Sequence, residues 1–231
     1  MSHYSDIGFE IENSKDIIKL FNNIISNQNI DRLEYFINDD ITLTIFNIRD
    51  IRYIAKINNK THQILSLSLG HDNLNVSEVE FVEIINNETF KFSNIMVEKE
   101  GIPFWFSCAN TEVCELKQND NIEIKIASFA ESIKIKDSEE DSLNSEKFAM
   151  ADESYISNFE GNQSCAFVSG IIKDYKLEKN FLTYNSYYTI DFDCLGLHFK
   201  ALVDEKAINK EDLQVGKIIC GNFWNTALIE K

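Results

Sequence analysis

The sequence predicts an α+β fold that is mostly β, with an N-terminal α+β domain containing an antiparallel sheet and a small C-terminal OB-like β-barrel. Three observations predict it. One helical pattern of apolar residues stands near the N-terminus, and apolar and polar residues alternate after residue 41. The last third has the strand and turn spacing of a five-stranded barrel. With 44% hydrophobic residues among 231, the chain has ample material for a packed core.

An acidic segment is the expected boundary between two domains. Residues 1–136 form the predicted N-terminal α+β domain, residues 137–159 an acidic linker with a short helix, and residues 160–231 the OB-like barrel. Residues 137–147 combine low hydrophobicity with high charge, which is typical of a solvated loop. The short helix is expected over residues 148–159, packed between the domains.

The N-terminal elements begin with a short strand over residues 8–11. A helix follows, capped by Asn13 or Ser14 and ending near residues 27–29, because its apolar residues fall on one face at helical spacing. These residues are Ile17, Leu20, Phe21, Ile24 and Ile25. A second short helix is predicted over residues 32–36.

Strands are predicted where the period changes to two. Leu65, Leu67 and Leu69 alternate with serines, which indicates one buried and one wet face. The clearest half-buried strand carries Ile122, Ile124 and Ile126 between charged residues.

The C-terminal segment fits the five strands of a small barrel. Its first strand is expected to bend sharply at Gly170. A short helix over residues 204–208 plugs one barrel end, and residues 226–229 form the last strand. The remaining strands are predicted over residues 187–194, 197–203 and 217–223. An immunoglobulin-like sandwich is the rival, but seven strands do not fit a segment this short that also carries a helix.

The charge balance argues against nucleic-acid binding. The net charge is −16, no segment is basic, and the only arginines are Arg32, Arg49 and Arg52. Phosphate contacts supply most non-specific nucleic-acid affinity and need clustered lysine and arginine. The acidic excess indicates simple solubility, or alternatively a basic protein partner or mimicry of a nucleic acid.

The cysteines and the N-terminus indicate a cytoplasmic protein with reduced thiols. The number of cysteines is odd, no secretory signal is recognisable, and no apolar run has the length of a membrane helix. The spacing between Cys108 and Cys114 is too long for the usual zinc knuckle, so no metal site is expected. We expect no cofactor either, because the dinucleotide, Walker, nucleophile-elbow and zincin motifs are all absent.

Two groups of side chains are candidate sites. Asp191 and Asp193 share one face of a predicted strand, and His198 follows on the next. Together they have the chemistry of a Mg²⁺ site or an acid/base pair, although a solvated strand face with a structural histidine is the simpler explanation.

The second group is aromatic. A platform that stacks on single-stranded bases, or core and interface packing, would account for Tyr184, Tyr187, Tyr188 and Trp224. Trp105 lies on the opposite face from its phenylalanine neighbours, so it is either a partner surface or covered by a second layer.

Three segments carry a resemblance. They are residues 126–131 (IASFAE), residues 148–156 and the ending 216–224, which closes with Gly221-Asn222-Phe223-Trp224. Together they resemble a group of uncharacterised bacterial proteins that combine a variable N-terminal domain with a barrel-like C-terminus ending near Gly-x-Phe-Trp. The chain departs from that group at Leu197 and at residues 225–227. The resemblance implies the two-part architecture and brings no activity.

Three functions therefore stay open. The first is a non-catalytic binding or protein-interaction module, which the absent motifs and acidic surface favour over an enzyme. The second is a metal-assisted hydrolase that uses Asp191, Asp193 and His198. The third is single-stranded nucleic-acid binding on the barrel aromatics.

Overall fold

The computed structural model describes residues 5–7, 14–26, 30–72, 74–86, 92–137, 155–159 and 162–230. The prediction of a mostly β fold is confirmed, since this part of the chain contains one α-helix, α1 (Ser14–Ser26), and thirteen strands. The strands are β1 Asp31–Asn38, β2 Ile41–Ile48, β3 Ile51–Asn58, β4 Ile64–His71, β5 Val76–Asn86, β6 Ser93–Lys99, β7 Ile102–Cys108, β8 Asn121–Lys136, β9 Tyr155–Phe159, β10 Asn162–Lys179, β11 Ser186–Cys194, β12 Leu197–Asp204 and β13 Ile218–Glu230.

The helix α1 forms where the apolar spacing predicted it. Phe21 and Ile24 are buried, whereas Asn22 and Asn23 are exposed, so the helix has one apolar face. The Phe21 ring meets the rings of Phe46 and Tyr53 edge-on, with centroid distances of 6.1 and 6.3 Å. These contacts dock the helix on a sheet. The strand predicted over residues 8–11 lies outside the described residues.

That sheet is antiparallel and has the order β1-β2-β3-β4. The helix predicted over residues 32–36 is wrong, because these residues belong to β1. Leu33 and Tyr35 pair with Ile45 and Leu43 of β2. The alternation that continues from Leu33 to Ile37 has the period of a strand, and pairing with β2 decides between strand and helix.

The second sheet contains nine described strands in the order β11-β12-β8-β5-β6-β7-β13-β10-β9. The additional pairings β10–β11 and β8–β13 join strands that are not neighbours in this order, so the sheet closes on itself. One closed circuit therefore runs through β8, β12, β11, β10 and β13, and another through β8, β5, β6, β7 and β13. The two circuits share the antiparallel ladder between β8 and β13.

The strand that closes the C-terminal circuit differs from the predicted one. Residues 226–229 do not form a separate strand, because they continue β13. The closing strand is β8, which pairs in parallel with β12 and antiparallel with β13. Strands from residues 160–231 thus share a sheet with strands from residues 1–136, and the division into domains at residues 137–159 stays a prediction.

The segment predicted as a linker and short helix is described only at its ends. Residues 138–154 lie outside the described part. Residues 155–159, which were expected to finish the short helix, form β9 on the edge of the large sheet instead. Near the other predicted helix, residues 205–207 form a single 3-10 turn, and the Asp204 side chain accepts a hydrogen bond from the Lys206 backbone N–H at 2.9 Å.

The buried apolar residues of the described chain form three clusters, the smallest of which contains Leu43, Ile45, Ile54 and Leu228. One apolar cluster fills the interior of the two circuits and includes Phe104, Phe106, Phe192, Phe199 and Phe223. A second cluster lies between α1, the four-stranded sheet and the outer face of the large sheet, where buried side chains from all three meet. The four-stranded sheet and the large sheet therefore pack against each other, and residues of both line the groove and the cavity described below.

Candidate functional site

The predicted aspartates and histidine lie together on the β11–β12 ladder. Asp191 pairs with Lys200 and Asp193 with His198 across the two strands. His198 Nδ1 is 2.6 Å from Asp193 Oδ1, and Lys173 Nζ is 3.4 Å from Asp193 Oδ2. The structure thus brings Asp193 and His198 into direct contact on a partly exposed strand face.

Both carboxylates already have cationic partners. Lys200 Nζ lies 3.0 and 3.1 Å from the two carboxylate oxygens of Asp191. The His198 backbone N–H donates to Ser77 Oγ at 3.0 Å, which fixes this end of β12 against β5. In the described ranges, no group of three or more His, Cys, Asp or Glu side chains is placed to hold a metal ion. The arrangement is an ion-paired strand face.

The predicted aromatic residues do not share one surface. Tyr187 and Tyr188 are buried, Tyr184 is exposed, and Trp105 and Trp224 are half-buried. The Trp224 ring packs against Phe129, with a centroid distance of 5.3 Å. Core packing, which the sequence left open beside a stacking platform, therefore describes the two buried tyrosines, because rings inside the core do not meet a base at the surface.

An exposed apolar edge lies on β1, which the sequence interpretation had assigned to a helix. Leu33, Tyr35 and Phe36 are 50%, 36% and 77% exposed. The strand pairs with β2 on one side, and no strand of the described chain pairs with its other side. Apolar residues therefore stand on both faces of a sheet edge.

A groove of about 230 Å³ runs beside this edge. Leu33 and Tyr35 form one wall, and Leu228 and Ile229 from the end of β13 form the other. Arg52 and Glu230 add polar groups at 3.6 Å from each other. We call β1 and this groove the β1 edge.

A polar cluster around the buried His71 joins the four-stranded sheet to the large one. His71, at the end of β4, is 1% exposed, and its Nε2 lies 3.8 Å from Glu178 Oε2 on β10. Neither ring nitrogen of His71 has a hydrogen-bond partner among the described residues. Tyr187 Oη donates to Glu178 Oε2 at 3.1 Å, and Lys176 Nζ donates to Oε1 at 2.8 Å.

This cluster keeps Glu178 ionised. The His71 ring is the largest cause, and the hydrogen bond from Lys176 adds to it, so the pKa of Glu178 falls to about 2 although burial opposes the shift. The neighbouring carboxylate and burial together raise the pKa of the Tyr187 hydroxyl, with burial the larger cause. Tyr187 therefore acts as a donor to Glu178.

A cavity of about 220 Å³ opens next to this cluster. The turn between β2 and β3 supplies Arg49, and the end of β10 supplies Lys176 and Lys179. Phe181 follows β10, and its ring lies under the Arg49 guanidinium at 5.0 Å from Cζ to the ring centroid. We call this the β2–β10 cavity.

Apart from Tyr187, the residues of the β1 edge, of the polar cluster and of this cavity were missed by sequence reasoning. The sequence did carry a signal for the β1 edge, because Leu33, Tyr35 and Ile37 have the period of two that predicts a strand. It carried no signal for the contact between His71 and Glu178, because they lie far apart in the chain and only tertiary packing joins them.

Comparison with protein-family models, with curated proteins and with solved structures finds no match to this chain. The resemblance to a bacterial group therefore stays a prediction. Within the described residues, no helix combines the length and apolar character needed to cross a membrane.

Proposed function

We propose that this protein is a non-catalytic interaction module that binds an extended segment of a partner protein along the β1 edge. The observation that carries this proposal is the exposure of Leu33, Tyr35 and Phe36 on β1. This strand pairs with β2 on one side and with no described strand on the other. Sheet edges are usually short, charged or covered, because a free apolar edge pairs with other chains. A free edge is also the surface on which a partner peptide adds a strand.

The geometry of the β1 edge supports strand addition. The eight residues of β1 span about 26 Å at roughly 3.3 Å per residue, which is enough for a partner segment of similar length. Alternate side chains of an added strand point to the same face of the sheet. Those on the inner face would extend toward the apolar walls of the groove, where Leu33 and Leu228 lie.

The charge around the β1 edge favours a basic partner. Asp31 and Glu34 lie on β1, Asp39 and Asp40 follow it, and Arg32 is the one cation of the strand. The net charge of the whole chain is −16, which attracts basic segments over long range at low salt. We therefore expect a partner segment in which apolar residues alternate with lysine or arginine.

Selection from a displayed library of random peptides tests this proposal. Peptides with alternating apolar and basic residues should be enriched on the wild-type protein. The double variant Leu33→Lys, Phe36→Lys removes two exposed apolar side chains and adds positive charge, so an enriched peptide should bind it at least about tenfold more weakly. Isothermal titration calorimetry measures both affinities.

The matched control is Val215→Lys, which changes an equally exposed apolar residue away from β1. The control should bind the enriched peptide as the wild type does. Peptides that bind all three proteins equally would contradict the proposal, as would a library that enriches nothing. Concentration-dependent dimerisation in sedimentation velocity, abolished by the double variant, would identify a second copy as the occupant instead.

We infer that the circuit β8, β12, β11, β10 and β13 is an OB-like barrel. Its fifth strand, β8, precedes the other four in the sequence. Five strands with a consecutive β10–β11–β12 meander support it, as do the short 3-10 turns between β12 and β13.

The metal-assisted hydrolase and single-stranded nucleic-acid binding stay as alternative proposals. The contact between Asp193 and His198 supports the first, and titration with Mg²⁺, Mn²⁺ or Zn²⁺ tests it. The exposed Tyr184 supports the second, and an electrophoretic shift with an oligonucleotide at low salt tests it.

A further inference from the structure

We propose that the β2–β10 cavity binds a small organic anion, a molecule with one phosphate or carboxylate group on an apolar body. The cavity shares no lining residue with the groove of the β1 edge, so this inference stands apart from the proposed interaction function. Charge, free donors, backbone conformation and size each support it.

The charge of the cavity differs from that of the molecule. Arg49, Lys176 and Lys179 line it together with only two carboxylates, those of Asp50 and Glu178. The local balance is therefore positive, in a chain whose net charge is −16. A positive concave surface on an acidic protein concentrates anions where the rest of the surface repels them.

Two of the three cations are available to a ligand. Glu178 already accepts hydrogen bonds from Lys176 and from Tyr187. Arg49 and Lys179 have no ion-pair partner among the described residues. The Arg49 guanidinium lies over the Phe181 ring, and a cation–π contact of this kind occupies none of its N–H donors. Those donors match two oxygens of a phosphate or carboxylate.

Arg49 is one of six described residues other than glycine with a positive φ. Arg49 has a φ of 54° in the two-residue turn between β2 and β3, in the left-handed region that glycine and asparagine occupy most easily. An arginine there gains nothing for the turn itself. Backbone conformations of this kind cluster at binding sites, where the side chain justifies their energetic cost.

Size and lining define the rest of the ligand. A volume of about 220 Å³ corresponds to about seven water molecules at roughly 30 Å³ each, so it admits an oxyanion with a small ring. Ile48, Ile51, Leu177 and Phe181 supply apolar contacts. An aryl phosphate or aryl carboxylate matches both the charged and the apolar part.

Titration of the full chain with phenyl phosphate, benzoate and inorganic phosphate, followed by calorimetry, tests this site. We expect phenyl phosphate to bind more tightly than inorganic phosphate, because only the first fills the apolar part. Comparison of phenyl phosphate with benzoate identifies the preferred oxyanion. Equal affinities for phenyl phosphate and inorganic phosphate would contradict the proposal that the ligand has an apolar body. If none of the three compounds binds, the proposed site is wrong.

The variant Arg49→Gly separates binding from folding. Glycine adopts a φ of 54° freely, so the variant should unfold at the same or a higher temperature while it loses the guanidinium. We expect its affinity for phenyl phosphate to fall at least about tenfold, and that of Lys179→Gln to fall several-fold.

The control variant is Lys210→Gln, which removes one positive charge from an exposed residue that does not line the cavity. Its affinity for phenyl phosphate should equal that of the wild type. An equal loss in Lys210→Gln and Arg49→Gly would show that net charge alone attracts the anion, and full affinity in Arg49→Gly would exclude this cavity. Either result overturns the proposal.

Discussion

Glu178 is one of the residues that join the large sheet to the four-stranded sheet. Its carboxylate lies on β10, within 3.8 Å of the buried His71 ring of β4, and accepts hydrogen bonds from Lys176 and Tyr187. A largely buried carboxylate destabilises the fold when its partners are removed, because its charge is then left without compensation. The pKa of about 2 is the consequence of these contacts.

Replacement of Glu178 with glutamine is expected to lower the free energy of unfolding by about 2–3 kcal/mol at pH 7. The folded pKa of about 2 lies below the ordinary value of 4.5, so the carboxylate stabilises the fold fully above pH 4.5. Its contribution is lost as the pH falls from 4.5 toward 2. The difference between wild type and Glu178→Gln should therefore shrink across that range.

Urea unfolding between neutral and acidic pH measures this difference. The exposed Glu211 provides the control, since Glu211→Gln should leave the free energy of unfolding within about 0.5 kcal/mol of wild type. If the free energy of unfolding lost in Glu178→Gln stays constant across this pH range, the cluster requires the shape of the glutamate side chain and not its charge.

At the scale of the element, β10 takes part in three ladders. Residues 162–169 pair with β9, residues 165–171 with β13 and residues 171–179 with β11, so the strand changes partners next to Gly170. A Cβ atom at Gly170 would lie 2.3 Å from the Asp193 carbonyl oxygen and 2.6 Å from the Phe192 ring. The close approach of β11 at this point requires glycine.

The variant Gly170→Ala is expected to lose about 2–3 kcal/mol of unfolding free energy, because backbone atoms have to move to admit the methyl group. The control Gly216→Ala has open space around its Cβ and a φ of 90°, and should lose only about 1 kcal/mol. Chemical denaturation compares them. Equal losses in the two variants would contradict a steric role for Gly170.

For the whole molecule, the ladder between β8 and β13 is the central feature. It belongs to both closed circuits, and it joins a strand from the middle of the chain to the last one. The apolar cluster inside the circuits draws residues from both halves, such as Phe104 and Phe223. Neither half encloses this core without the other.

An isolated fragment of residues 160–231 is therefore expected to stay unfolded. It contains β10 to β13 and lacks β8, so the circuit of strands cannot close. The side of β12 that pairs with β8 in the full chain has no partner in the fragment. Far-ultraviolet circular dichroism and amide chemical-shift dispersion compare the fragment with the full chain. Cooperative thermal unfolding of the fragment would instead show that residues 160–231 form a domain of their own.

The sequence by itself determined the features that depend on neighbours in the chain. Helix α1, the buried face of β8 and the shared face of Asp191 and Asp193 all follow from a local period of 3.6 or 2. The sequence also singled out Gly170 as the point where the first barrel strand is expected to bend, but the close approach of β11 that requires glycine there is seen only in the structure.

Tertiary structure alone decided which strands meet. It made residues 32–36 part of an edge strand instead of a helix, and it made β8 the strand that closes the C-terminal circuit. It also brought His71 beside Glu178. The same packing placed Arg49 over Phe181. Periodicity reports which side of a strand is buried but not its partner, because pairing is selected by the combined burial of residues far apart in the chain.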